Sequence, residues 1–180
     1  MSFENSAPFE GRPSENFAGG FDVDFSFESD LNAPVEAMDR VARCMRDLDW
    51  PEDETDAFSG AVEEAVTNAV VHGNLGIRHE EGEDIEGYTR RIREASGGDA
   101  GKKKVEVTVE ARMNDIVVKV KGGGDYVMEI DERDDPTSEG RIILPHGRGQ
   151  LLIFNGCNEV MSYPGEIVLI KHRGGAAEGA

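Results

Sequence analysis

The stretch Ala61-Val-Glu-Glu-Ala-Val-Thr-Asn-Ala-Val-Val-His-Gly73 decides how the chain is read. Its Ala61, Val62, Ala65, Val66, Ala69 and Val70 recur at three- and four-residue spacing, which is the period of one helix face. Followed backward, the stripe takes in Phe58 and the helix opens near Glu52; followed forward, it runs to His72, and Gly73 ends it. Just upstream, Val35, Met38, Val41, Ala42, Met45 and Leu48 repeat at the same spacing. That helix opens at the Asn32-Ala33-Pro34 turn, where proline suits the first helical turn, and closes at Trp50-Pro51.

Farther out, the period changes from helical to alternating. Phe21-Asp-Val-Asp-Phe-Ser-Phe27 reads as a half-buried strand with its aromatic and aliphatic residues on the inner face. Val105 to Ala111 and Ile116 to Val120 alternate across a short polar link and predict a hairpin, broken by Gly122-Gly-Gly124. A second hairpin is expected from Val160 to Tyr163 and Glu166 to Lys171 around Pro164-Gly165, after a short helix from Leu151 to Cys157. Strand, two helices, hairpin, helix, hairpin predicts an α+β fold. It is a two-layer α/β sandwich with a mixed, mostly antiparallel sheet and helices on one face. Residues 75–104 depart from this rhythm and read as an insertion with an amphipathic helix from Ile85 to Ala95. Residues 125–145 read as acidic and irregular, and 1–20 and 174–180 as disordered tails around a domain at 21–173.

Composition narrows the function classes. Of 180 residues, 37 are acidic and 19 basic, a formal net charge of -18 that repels phosphate backbones and anionic lipid. Direct nucleic-acid binding and membrane association are therefore not expected. No apolar run approaches the roughly 20 residues of a membrane span, and Met1 to Gly20 lacks the pattern of a secretory signal. Cys44 and Cys157 belong to no paired-ligand motif, so a reducing, cytoplasmic setting is expected.

Three groups of residues carry possible chemistry. Glu64, Asn68 and His72 stand at i, i+4 and i+8 and are expected on one side of their helix. The Asn68 carboxamide oxygen is a hard neutral ligand of the kind Mg²⁺ accepts, and Glu64 can orient or deprotonate a hydroxyl beside it. The same spacing also suits a solvated helix face. Gly147-Arg-Gly149 precedes a helix, where backbone N–H groups and Arg148 can meet an anion; a plain loop reads the same way. Gly122-Gly-Gly124 lets backbone pass close to a flat ligand or makes an ordinary turn. No histidine pair has metal-ligand spacing, and Ser59, Ser138 and Ser162 have no nearby base, so a nucleophilic triad is not expected.

In combination these pieces resemble the GHKL (Bergerat-fold) ATPase superfamily, specifically its anti-sigma-factor serine/threonine kinases. The resemblance covers residues 21–173. It rests on Glu64-Ala-Val-Thr-Asn68-Ala-Val-Val-His72-Gly73-Asn74, similar to the N box, and on Gly147-Arg-Gly149-Gln-Leu-Leu-Ile153, similar to the G2 box. It implies ATP held between helices and sheet, with Asn68 on Mg²⁺ and the phosphates. It implies Glu64 as general base or orienting carboxylate, and Gly147, Arg148 and Gly149 along the phosphates. The partners it implies are a sigma factor, which the kinase blocks, and an anti-anti-sigma antagonist, which it phosphorylates, with the kinase as a homodimer. Asn68 and Arg148 are then expected to meet across one cavity.

One element departs from the family. Its G1 box carries an aspartate that accepts a hydrogen bond from the adenine amino group. Here strand alternation puts Gly122 at that position and Gly124 at the first glycine's, with Lys119 and Lys121 bringing positive charge nearby. Loss of a buried acceptor costs about 1–3 kcal/mol, roughly ten- to a hundredfold in affinity. Weak ATP binding, binding of another nucleotide and loss of binding all stay open. A non-catalytic protein-binding regulator is the alternative function. A detached histidine-kinase ATPase domain is disfavoured, because no helix with a phosphoacceptor histidine is read before residue 34.

Overall fold

The computed structural model describes residues 20–80, 82–127 and 148–174. Most of the expected tails, 1–20 and 174–180, and most of the acidic stretch 125–145 lie outside the described residues. Five strands form one sheet: β1 (Phe21–Glu28), β2 (Lys104–Ala111), β3 (Asp115–Lys121), β4 (Glu159–Tyr163) and β5 (Glu166–His172). Their order is β1-β2-β3-β5-β4 and every pairing is antiparallel, so the sheet is not mixed.

Alternation fixes the register, since a slip of one residue would turn each apolar set to the wrong face. One inner row runs Phe25, Val107, Val120, Ile167 and Ser162 across all five strands; the next runs Val23, Val109, Val118, Leu169 and Val160. On the outer face, β1 and β2 present Asp22, Asp24, Glu106 and Glu110. Lys119 sits there too, its Nζ 2.8 Å from the Glu110 carboxylate. Lys119 therefore does not charge the inner site, contrary to the sequence expectation; Lys121 follows it on the same outer face by alternation.

The inner face is covered by α1 (Ala33–Asp47), α2 (Glu52–Asn68) and α4 (Arg148–Gly156), giving an α+β, two-layer sandwich. Asp30 caps α1, its Oδ1 accepting from the Asn32 N–H at 2.8 Å and the Ala33 N–H at 3.0 Å. The buried stripe of α1 is Ala33, Ala37, Val41, Cys44 and Met45, whereas Val35 is 46 % exposed. The apolar residue at 35 misled the periodicity by one position; small Ala33 and Ala37 fill that side. In α2, Phe58, Ala61, Val62, Ala65 and Val66 are buried as expected. Helix α4 starts at Arg148 rather than Leu151. It approaches α2 closely, because Gly156 lies where a Cβ would come within 2.8 Å of Ala61 Cβ.

The segment from 75 to 104 folds onto the domain. Helix α3 (Ile85–Ser96) begins at Asp84, whose Oδ1 accepts from the Gly87 N–H at 2.7 Å. Ile92 buries into the core, and Arg91 holds Glu80 and Glu83, each at 2.9 Å.

Candidate functional site

The end of α2 differs from its expected course. The helix does not stop at His72; from Ala69 to Asn74 it continues as a π-helix, with the Leu75 N–H bonded to the Val70 carbonyl five residues back at 2.9 Å. The wider turn breaks the i, i+4, i+8 row. His72 Nδ1 lies 2.7 Å from the Ile77 carbonyl, so that nitrogen carries the proton, and the ring packs 5.4 Å from the Tyr126 ring. Glu64 and Asn68 remain paired on the regular part of the helix, with Asn68 Nδ2 donating to Glu64 Oε1 at 3.4 Å. His72 does not join that pair.

A cleft with about 340 Å³ of atom-free space, partly open to solvent, lies between α2 and the sheet. Its helix wall is Ala65, Asn68, Ala69 and Gly73, and its sheet wall is Val120, Gly122, Gly123 and Ile167. Tyr126, Ser162 and the β4–β5 turn close the remaining side. Glu166 also borders the cleft. The Glu166 position pairs with Lys121, and alternation beside inward-facing Ile167 turns it to the outer face. It is therefore no acidic substitute at Gly122.

At Gly122 a side chain would press on Ala69, with contacts from 3.1 to 3.4 Å. Gly124 adopts φ 84°, open to glycine at little expense, and Gly165 at φ 72° stacks its backbone on the same turn. The Gly122 N–H is spent on the Gly165 carbonyl at 2.9 Å, and the Gly165 N–H on the Tyr126 carbonyl at 2.9 Å. Gly122 thus lines the cleft, whereas Gly124 belongs to the turn that supports it.

Glu64 sits beside the start of α4. A Cβ at Gly149 would overlap the Glu64 carboxylate, so any other residue there would displace that side chain from its present place. Burial holds the Glu64 carboxyl above its ordinary range, the Asn68 hydrogen bond draws it back, and the Glu63 charge raises it further. A raised carboxyl moves toward neutrality, where a base is most effective. Gly147 lies outside the described residues, as does the Arg148 side chain; the Arg148 backbone opens α4. The segments around residues 64 and 149, far apart in sequence, thus converge through Glu64 and Gly149.

The Asn68 amide spends Nδ2 on Glu64, which leaves Oδ1 for a ligand. Its chemistry suits Mg²⁺, which commonly takes one or two protein oxygens together with substrate phosphates. Among the described residues no cluster of three or more His, Cys, Asp or Glu could hold a metal alone. A phosphate-bridged Mg²⁺ needs no such cluster.

Sequence reasoning missed two participants. Tyr126 gives an aromatic wall, but it follows three glycines in a stretch without periodicity. Asn74 closes the N-box-like segment and carries no separate signal, yet it is buried and ties three elements together. Neither a protein-family model nor a curated protein matches the chain.

Proposed function

We propose that this chain is a nucleotide-binding regulator of the anti-sigma kinase type within the GHKL superfamily. The observation that carries the reading is the pairing of Asn68 with Glu64 at the edge of a cleft, with Gly149 of α4 against the same carboxylate. Two separated sequence segments, each similar to a family box, thereby share one site. In this reading the cleft takes ATP, and Asn68 Oδ1 would hold an Mg²⁺ ion that would supply charge neutralisation at the phosphates. Glu64 orients a target hydroxyl and takes its proton. Phosphoryl transfer relies chiefly on positioning and electrostatics, so a small set of residues suffices. The acceptor is a serine or threonine on an anti-anti-sigma protein, and the blocked partner is a sigma factor. The kinase works in the cytoplasm as a homodimer. Among the described residues no helix is long and apolar enough to cross a membrane.

Isothermal titration with ATP and Mg²⁺ tests this reading. Heat is expected from the wild type and is strongly reduced in Asn68→Ala. Absence of wild-type heat at millimolar ATP rejects it. A second reading has its own support in Gly122. No carboxylate stands there to accept from a base, and Ala69 fills the adjoining space. It makes the chain a non-catalytic protein-binding regulator. Partner binding without phosphorylation of a serine-bearing antagonist selects it.

A further inference from the structure

The cleft has two walls that are far apart in sequence: α2 with its π-helical end, and the glycine turn after β3. What fixes their separation is Asn74. It is 2 % exposed and uses its whole side chain. Oδ1 accepts from the Gly123 N–H. Nδ2 donates to Ser29 Oγ at 2.7 Å and to the Lys104 carbonyl at 3.0 Å. Ser29 Oγ in turn donates to the Lys103 carbonyl at 2.9 Å, and Lys103 Nζ donates to the Asn74 carbonyl at 3.0 Å.

Only a carboxamide of this length supplies one acceptor and two donors here. An aspartate would keep the bond to Gly123 but turn an oxygen toward the Lys104 carbonyl. A serine would not reach. The backbone around the clasp is shaped to it. A Cβ on Gly123 would come within 2.6 Å of Asn74 Oδ1, and one on Gly73 within 3.0 Å of the Gly123 carbonyl. The π-turn makes this possible. A further regular α-turn after Asn68 would direct residue 74 elsewhere, because each residue is rotated about 100° from the last.

We propose that Asn74 is a positioning residue of the cleft: by clasping Gly123 it holds the Gly122–Gly124 turn against the π-turn and so sets the gap into which the nucleotide fits. The clasp itself is independent of what binds there; its consequence for a nucleoside triphosphate rests on the function proposed above. Asn74 touches no ligand in this scheme. It acts through the turn.

The experiment pairs Asn74→Ala with Ser29→Ala. Both break the buried network, but only Asn74→Ala frees the Gly123 N–H. Amide hydrogen exchange is read at Gly123 and, as a reference, at Val107 in β2. Affinity is read with a fluorescent ATP analogue and Mg²⁺ on protein shown folded by circular dichroism. In Asn74→Ala, exchange at Gly123 is expected to rise about tenfold or more relative to Val107, with affinity falling about tenfold. Ser29→Ala is expected to lose thermal stability while leaving both readouts near wild type. Unchanged exchange at Gly123 in Asn74→Ala overturns the proposal. So does an equal loss of affinity in Ser29→Ala, which would mark a purely structural role. If Asn74→Ala does not fold, Gly123→Ala disturbs the same contact from the turn and, because residue 123 also lines the cleft, is held to the exchange outcome at that amide alone. A wild type that binds no nucleotide rejects the proposed function, and the exchange arm still decides whether Asn74 holds the turn.

Discussion

Helices α1 and α2 lie side by side and pack on each other, yet only α2 carries the site. The difference is in how many neighbours each has. Helix α1 meets α2 and the sheet on one side and leaves the other to solvent; at the border between the two, beside β1, Glu36 and Arg40 form a loose i, i+4 pair at 3.9 Å. Helix α2 is flanked by α1, α4 and strands β3 and β5, so its apolar stripe is enclosed and part of its polar face is drawn in between neighbours as well. Its polar residues Glu64 and Asn68 are confined to the gap between α4 and the sheet. A polar pair held among packed elements has a fixed geometry and a perturbed carboxyl; a polar face in water has neither.

Substitutions can break or sharpen this contrast. The largest effect is expected at Phe58, fully buried in α2. Phe58→Ala should lose about 3–5 kcal/mol of stability, measured by chemical denaturation, because it leaves a cavity where α2 is enclosed. Asn68→Ala should lower nucleotide affinity roughly ten- to a hundredfold by titration calorimetry. Its folding stability should stay within about 1 kcal/mol of wild type, since among the described residues the amide's one internal bond is the long one to Glu64. The matching change in α1 is Arg40→Ala. Its guanidinium lies 5.1 Å from the Phe25 ring centre and 5.0 Å from that of Phe27, so removal should cost about 1 kcal/mol and leave ligand affinity unchanged.

Glu64→Gln should separate the helices by pH. Because the folded carboxyl is raised by burial, the native state holds its proton more tightly than the unfolded chain. Wild-type stability therefore falls as pH rises from the ordinary carboxyl value of 4.5 through the folded one. The variant lacks this loss. It should be more stable than wild type at neutral pH, with the gap closing as pH drops below that ordinary value, by thermal denaturation across pH. Val35→Ser, at the exposed start of α1, should change stability by less than about 0.5 kcal/mol.

Legibility followed the same contrast. The core stripe of α2 and the alternation of β1, β2, β3 and β5 were readable because burial on one face imposes a fixed period. Val35 was misread since period alone does not tell a residue at the edge of a stripe from one inside it. Glu64 and Asn68 were visible as a pair one turn apart. Asn74 was not, because its partners Ser29, Lys104 and Gly123 are distant along the chain and a π-turn leaves no mark in hydrophobic spacing.

The order of elements, the inner faces of the strands and the one-turn spacing of Glu64 and Asn68 were all written in the chain, because each depends on residues a few positions apart. Tertiary structure alone decided that Gly149 lies against Glu64, that Gly122 abuts Ala69, and that Asn74 spans three elements. Those contacts arise where separate segments are packed to near-solid density, and close packing between distant segments is selected by the whole fold rather than by any local pattern.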